Sequence, residues 1–178
     1  MYKTRLIWAC LCLLSAGLPT PSCAETLDDT AIHKFYNNMA AATNDPDKLR
    51  QFMEEGFADS YVLKLNSSQS VGSRPPDVTM DSFSKMEAIE NIMNTFSNMQ
   101  MQDYKANIDS ITVAPDKKSA EVHTTTMTAG LMSFPTETGN DMMVRFEDQK
   151  ACNDKVGLTG TKVQLTESSC KENLVVKR

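Results

Sequence analysis

Residues 84–131, SKMEAIENIMNTFSNMQMQDYKANIDSITVAPDKKSAEVHTTTMTAGL, hold the change of periodicity that decides the fold. Residues 84–87 (SKME) match a capping box, in which a serine hydroxyl and a glutamate carboxylate satisfy free amide groups at a helix start. An apolar stripe at helical spacing follows: Met86, Ile89, Ile92, Met93, Phe96 and Met99. From residue 104 onward the pattern alternates, and a turn at 115–118 precedes a run rich in Val and Thr at 120–131. The stretch therefore predicts one helix followed by two strands.

Upstream of this stretch, the pattern predicts two further helices. Apolar residues fall at helical spacing between 27 and 42, and Pro46 is placed near the first turn of a second helix that ends at Gly56. Residues 61–65 (YVLKL) predict a strand, and residues 67–77, rich in Ser, Gly and Pro, predict the longest loop.

Downstream, two more strands are expected, at 142–146 and 161–165, with a hairpin tip at 159–160 (TG). Helices followed by a run of antiparallel strands indicate an α+β fold.

The first 24 residues have the three parts of a secretory signal peptide. Lys3 and Arg5 precede an apolar run at 6–14, and the small residues Ser22 and Ala24 fit a cleavage site after Ala24. The run is about half of the roughly 20 residues that a transmembrane helix needs, so we expect no anchor in the mature chain. Residues 25–178 would then form a single domain, periplasmic or secreted.

Cys23 permits a second interpretation, because a lipoprotein signal also ends just before a cysteine that becomes lipidated. Thr20 stands three positions ahead of it, where such a signal carries Leu or a similar apolar residue. We therefore favour simple removal of Cys23 with the signal peptide over an outer-surface lipoprotein.

The charge of the chain argues against anionic partners. The formal net charge is −5, and the predicted signal peptide contains basic but no acidic residues, so the mature domain is more acidic still. An acidic surface repels phosphate backbones and anionic lipid, which makes nucleic acid an unsuitable partner.

Two cysteines remain after the signal peptide, Cys152 and Cys170, on the outer arms of the predicted last hairpin. An even pair in an oxidising compartment indicates one disulfide, and a bulge must absorb the register between the two arms. A Cys-x-x-Cys motif is absent from the sequence, so a structural role is favoured over a redox-active one.

The element order resembles the nuclear transport factor 2-like (NTF2-like) superfamily, including its SnoaL-like (polyketide cyclase-like) group. The residues that carry the resemblance are 57–62 (FADSYV), 84–87 (SKME), and the strand at 104–113 with its turn at 115–116. The chain also looks like exported bacterial members with a cysteine on each arm of the last hairpin. The resemblance implies a cone-shaped, cystatin-like fold, in which a strongly bent antiparallel sheet wraps around the amino-terminal helices and encloses an apolar pocket. This cone hosts enzymes and binding modules alike, so fold alone does not assign function.

An enzyme of this fold would need an acid or base beside hydrogen-bond donors in the pocket. His123 is the best proton-transfer candidate if its strand face, shared with Met127, lines the cone, and an ordinary surface residue if that face meets water. Asp59 is either a base or a turn residue.

Three further side chains could contact a ligand. Tyr61 and Tyr104 are candidate donors, and Arg145 either binds a polar ligand group or belongs to a solvated strand face.

Neither a metal site nor a cofactor site is expected from the sequence. The two histidines, His33 and His123, are far apart, and the sequence has no carboxylate cluster with ligand spacing, no glycine-rich phosphate loop and no Gly-x-Ser-x-Gly elbow. The eleven methionines that follow the predicted signal peptide suit an adaptable pocket or interface, or simply fill the core.

Two functional hypotheses follow. The first is an exported, non-enzymatic module, homodimeric through its sheet, that holds a small apolar molecule or supports another envelope protein. The second is a SnoaL-like isomerase or cyclase that transfers a proton on a hydrophobic substrate, with His123 or Asp59 as base and Tyr61 or Tyr104 as donor. The second requires these side chains to converge in one pocket.

Overall fold

The computed structural model describes residues 26–135 and 141–177. The predicted signal peptide, its cleavage after Ala24 and the alternative at Cys23 lie outside these residues. Among them, no helix is long and apolar enough to span a membrane. The elements in chain order are α1 (Asp29–Ala42), α2 (Pro46–Gly56), β1 (Phe57–Val71), β2 (Asp77–Ser84), α3 (Lys85–Ser97), β3 (Met99–Val113), β4 (Ser119–Pro135), β5 (Asp141–Thr159) and β6 (Lys162–Lys177).

Each helix begins where the sequence supplies a cap. The Asp28 carboxylate accepts a hydrogen bond from the Ala31 amide at 2.8 Å, and the Asp45 carboxylate caps α2. At α3, the Ser84 amide donates to Glu87 Oε2 at 2.8 Å, as the capping box predicts.

The apolar stripe of α3 is shorter than predicted. The helix ends at Ser97, and Met99 is the first residue of β3, where it pairs with Met132 of β4. Met86 is 55% exposed, so it lies outside the buried side of the helix. Strand pairing with β4 takes Met99 away from the helical pattern.

The helices are followed by a strongly curled, unclosed six-stranded sheet, which confirms the α+β prediction. The strand order is β2-β1-β6-β5-β4-β3, and neighbouring strands are antiparallel except β1 and β6, which run parallel. Register shifts in β3 and between Lys155 and Val156 of β5 add local bends to the sheet. The register shift between Lys155 and Val156 is the predicted bulge, and it leaves Cys152 opposite Cys170.

The predicted loop at 67–77 is wrong over most of its length. β1 continues to Val71 and β2 starts at Asp77, so only residues 72–76 connect them. Ser67 pairs with Thr79 of β2 on one side and with Glu172 of β6 on the other. Backbone pairing on both edges outweighs the weak strand preference of a serine-rich sequence.

Apolar side chains form two clusters on the inner side of the sheet. The larger one joins the helices to the sheet and contains Phe35, Phe52, Ile89, Val122, Val156 and Val163. The smaller one lies farther along the strands and contains Met132, Val144, Phe146 and Val176. The space between them becomes the candidate site.

Gly130 lies where β3 and β4 approach closely, and replacing it should destabilise the sheet. A Cβ at this position would stand 2.2 Å from the Gln100 carbonyl oxygen, a backbone atom that has little freedom to move away. We expect Gly130→Ala to lower the free energy of unfolding by about 1–3 kcal/mol, measured by urea denaturation. Gly157→Ala is the matched control, since its Cβ would make only ordinary contacts, with Thr166 Cγ2 at 3.4 Å and the Lys118 carbonyl oxygen at 3.9 Å. Equal stability of the two variants would contradict the expectation.

Candidate functional site

A cavity of about 680 Å³ lies between the helices and the inner face of the sheet. Its helical wall combines polar side chains, such as Asn37 and Thr95, with the apolar ones of Met39, Leu49, Met53, Ile92 and Phe96. These side chains project from the same helix faces that build the core, because residues three and four apart share one side of a helix.

The sheet wall of the cavity carries polar side chains in rows, among apolar ones such as Leu63 and Ile108. Side chains alternate along each strand, so residues paired across neighbouring strands stand side by side on one face. One row holds Ser67, Glu172, Lys150, Thr126 and Ala106. The next row, one step nearer the smaller apolar cluster, holds Leu174, Asp148, Thr128 and Tyr104.

Asp154 is the most buried charged group in the wall, at 5% exposure. The Tyr36 hydroxyl of α1 donates to its Oδ2 at 2.7 Å, and the hydroxyls of Thr124 and Ser168 donate to the same carboxyl group. Burial raises the pKa of Asp154, while these three hydrogen bonds oppose the rise. Burial also raises the pKa of Tyr36, and the Asp154 charge adds to that rise. This satisfied network fixes α1 to the sheet.

Lys150 and Glu172 form an ion pair across β5 and β6, with 2.7 Å between Lys150 Nζ and Glu172 Oε1. The Ser67 hydroxyl donates to the other carboxylate oxygen at 2.7 Å. Burial raises the pKa of Glu172, but the charge and hydrogen bonds of its two partners outweigh burial, so the pKa is lowered overall. Both charges of this pair are therefore already compensated.

Asp148 is the exception among the charged groups of the wall. It is half-buried, and its Oδ1 is inaccessible and accepts no hydrogen bond from any described residue. Burial raises the pKa of its carboxyl to about 6, against a lowering by Lys150 and a further rise from Glu172. Apolar Phe146 and Leu174 stand beside it in the inner face, which explains the desolvation.

Among the residues predicted to transfer protons or contact a ligand, Tyr61 and Tyr104 line the cavity. Tyr61 is buried in the wall and Tyr104 is half-buried, and burial raises the pKa of both hydroxyls. Their phenol groups provide hydrogen-bond donors inside the site.

The other candidates lie outside the cavity. His123 is exposed on the outer face of β4, because its neighbours Val122 and Thr124 are buried on the inner face and a strand alternates sides. Met127 lies on the same outer face, 50% exposed. Proton transfer by His123 inside the cavity is therefore incompatible with its position.

Asp59 and Arg145 are exposed as well. The Asp59 carboxylate pairs with Lys85 at 3.2 Å, at the start of α3, and Arg145 is on the outer face of β5 between the buried Val144 and Phe146. The structure does not bring either one together with Tyr61 or Tyr104 in the cavity.

The charged residues of β5 that line the site were not among the candidates predicted from the sequence. Alternate residues from 144 to 154 share one face of this strand, namely Val144, Phe146, Asp148, Lys150, Cys152 and Asp154. Charged side chains in phase with buried Val and Phe were the available signal, since a charge on a buried face is unusual.

The disulfide also faces the cavity. Cys152 and Cys170 are joined, with an S–S distance of 2.08 Å and 4.1 Å between their Cα atoms, which confirms the predicted pair. With Asp154 they form the one group of three metal-ligating side chains in residues 26–135 and 141–177. The bridge leaves no thiolate there to bind a metal.

No family model matches the chain, and no curated protein matches it significantly. Solved structures do match the chain. An NTF2-like protein from Cytophaga hutchinsonii is 12% identical, with a TM-score of 0.50 over 80% of this chain and 95% of that one. A type 2 hexachlorocyclohexane dehydrochlorinase, LinA, is 7% identical, with a TM-score of 0.50 over 84% of this chain and 88% of the other.

A third solved structure is the beta subunit assigned to an aromatic-ring-hydroxylating dioxygenase of Novosphingobium aromaticivorans. It is 14% identical, with a TM-score of 0.50 over 84% of this chain and 88% of that one. At such identities these likenesses show the fold alone.

Proposed function

Because this chain has the NTF2-like fold, we propose that it is an exported, non-enzymatic domain that binds a small molecule in its cavity. The cavity itself carries the proposal: about 680 Å³ lies within the range of roughly 300–1,000 Å³ typical of ligand pockets. Apolar side chains on both walls, with a few charged groups on the sheet wall, suit a mainly apolar ligand with one polar end.

Export is proposed on the signal-peptide pattern and the disulfide. Cleavage after Ala24 would release the domain into a periplasm or beyond, where a disulfide persists. A second copy of the chain or an envelope protein is the proposed partner, because the outer face of the sheet exposes Met127 and Met143.

Native mass spectrometry of the protein purified from its own envelope tests binding and processing together. We expect a chain that starts at Glu25 and retains a species of a few hundred daltons, close to the mass a pocket of this size accommodates. A lipid-modified Cys23 would overturn the processing. A protein that is empty and also fails to bind any apolar probe in a thermal-shift screen would contradict the binding function.

A substitution pair locates the binding site. Thr126 points into the cavity and its neighbour Thr125 points outward, so the same large side chain can be placed on either face of β4. We expect Thr126→Phe to reduce apolar-ligand affinity at least about tenfold by filling the cavity, and Thr125→Phe to leave affinity unchanged. Isothermal titration calorimetry measures both. Equal losses in the two variants would place the ligand elsewhere.

Proton-transfer catalysis is the second candidate function, with Asp148 as the base in place of His123 or Asp59. The Asp148 carboxyl, with a pKa of about 6, faces the same cavity as the Tyr104 hydroxyl, and a base with a pKa near neutrality is suited to general catalysis. Turnover of an apolar substrate that disappears in Asp148→Asn while binding persists would favour the enzyme over the binding module.

A further inference from the structure

We propose that the ligand of this cavity is an amine-bearing amphiphile whose ammonium group is held by the carboxylate of Asp148. The inference rests on the proposed binding function and names the chemical class of the ligand. It follows from the balance of charges in the cavity, from the unequal satisfaction of its carboxylates, and from the apolar surroundings of Asp148.

Acidic groups outnumber basic ones among the described charged side chains of the cavity. Asp81, Asp148, Asp154 and Glu172 line it together with one lysine, Lys150. The lysine is already paired with Glu172 at 2.7 Å. The wall therefore offers a negative field to an incoming ligand and, within its described part, no uncommitted lysine for an anionic one, which favours a cation.

The buried carboxylates in the described part of the wall are unequally satisfied. Asp154 accepts hydrogen bonds from three hydroxyl groups, and Glu172 accepts from Lys150 and Ser67. Asp148 Oδ1 accepts none from the described residues. Leaving a buried acceptor unpaired costs free energy. Rotation of the Asp148 carboxyl about its Cβ–Cγ bond would turn Oδ1 toward the cavity, where an ammonium group brings three donors and the compensating charge.

Tyr104 offers the ammonium group a second contact. Thr128 of β4 pairs with Asp148 on one side and with Tyr104 on the other, so the three side chains stand in one row of the wall. Strands lie roughly 5 Å apart, which places a cation above Thr128 within reach of both the carboxylate and the aromatic ring. Cations bind the faces of tyrosine rings at such distances.

The residues around this row fit the apolar body of the same ligand. Leu174 pairs with Asp148 in this row, and Phe146 lies two residues from Asp148 on the same strand face. Phe96 of α3 and Met99 of β3 line the same cavity, so both walls supply apolar surface. An amine on an alkyl or aryl group matches this arrangement better than a purely apolar molecule.

Three ligands of one chain length separate charge from hydrophobicity: decylamine, decanol and decanoate. We expect calorimetry near neutral pH to give an affinity for decylamine about tenfold to a hundredfold higher than for decanol, with decanoate weakest. Decanoate binding as tightly as decylamine would overturn the inference. Failure of all three ligands to bind would instead overturn the binding function on which it rests.

Asp148→Asn tests whether the Asp148 carboxylate causes the preference for the amine. The variant should bind decylamine and decanol equally, because the amide keeps the shape of the side chain and removes the charge. Decanol affinity reports whether the cavity is intact. Asp103→Asn, at an exposed position of β3, is the control and should keep the preference for the amine. A preference that survives in Asp148→Asn would contradict the assignment.

The preference should also depend on pH. The charged and titratable groups that share the cavity with Asp148 are Lys150 on β5, Glu172 on β6, Tyr104 on β3, Asp81 on β2, Tyr61 on β1, and His33 and Tyr36 on α1, with Asp154 farther along β5. Decylamine affinity should fall as the pH is lowered through about 6, where Asp148 becomes protonated, while decanol affinity stays constant. His33→Gln should retain this dependence. A pH dependence that follows His33 instead would overturn the assignment.

The stability of Asp148→Asn provides an independent check on its folding. The folded pKa of about 6 lies above the ordinary value of 3.8, so the folded chain binds this proton more tightly than the unfolded chain does. Through this carboxyl, the wild-type protein therefore loses stability as the pH rises from about 4 to about 6. The amide of the variant does not titrate, so the variant should be at least as stable as the wild type above that range, in urea denaturation. Lower stability there would show that Asp148 has a structural partner and would overturn the assignment.

Discussion

Replacing Phe52 with alanine is expected to lower the free energy of unfolding by about 3–5 kcal/mol, the largest effect predicted for this protein. Phe52 is fully buried in α2, and its ring centroid lies 5.1 Å from that of Phe35 in α1. A Cβ added at Gly56 would stand 3.2 Å from both rings, so little free space surrounds them. A tightly packed aromatic site collapses poorly after truncation and leaves a void.

Urea denaturation followed by circular dichroism measures this loss. Gln51→Ala is the matched control, because it changes the adjacent exposed residue of the same helix and should alter stability by no more than about 0.5 kcal/mol. Leu49 and Met53 of α2 line the cavity, so ligand affinity should fall with Phe52→Ala as the helix loosens. A Phe52 variant as stable as the Gln51 variant would show that α2 contributes little to the fold.

Removal of the disulfide is expected to cost about 3 kcal/mol, the second-largest effect. The bridge closes a loop with a sequence separation of 18, and restricting a loop of that length in the unfolded chain accounts for the magnitude. Cys152→Ala combined with Cys170→Ala avoids adding hydroxyl groups to a wall where Cys170 is 5% exposed. Urea denaturation should show a lower midpoint for the double variant.

Reducing the wild-type protein provides the control for the disulfide experiment. Dithiothreitol should lower the midpoint of the wild-type protein and leave that of the double variant unchanged. Backbone pairing continues on both sides of the bridge, with Lys150 opposite Glu172 and Asn153 opposite Ser169, so the double variant should still fold and bind decanol. A wild-type midpoint that does not respond to reduction would contradict the stabilising role.

Local features were readable from the sequence because their causes are local. Asp28 and the Ser84 capping box mark helix starts through hydrogen bonds that span three residues. Pro46 begins α2, where its fixed φ suits the first helical turn. The cysteine pair was recognisable from composition and hairpin position.

Backbone pairing between distant strands decided the secondary structure where local residue preferences were weak. Residues 67–71 read as a loop because they are mostly Ser and Gln, yet they form a strand between β2 and β6. Met99 continued the helical stripe in sequence but pairs with Met132 in β3. In both cases hydrogen bonds to distant strands outweigh the weak preference of a few residues.

By itself, the sequence determined the α+β class, the helix starts, the alternation of the strands and the cysteine pair, because these depend on neighbouring residues. Only the tertiary structure decided which face of each strand lines the cavity. In β4 both faces mix polar and apolar residues, so alternation alone could not tell whether His123 or Thr124 pointed inward. Packing of the helices against one side of the curled sheet placed Asp148 inside and His123 outside.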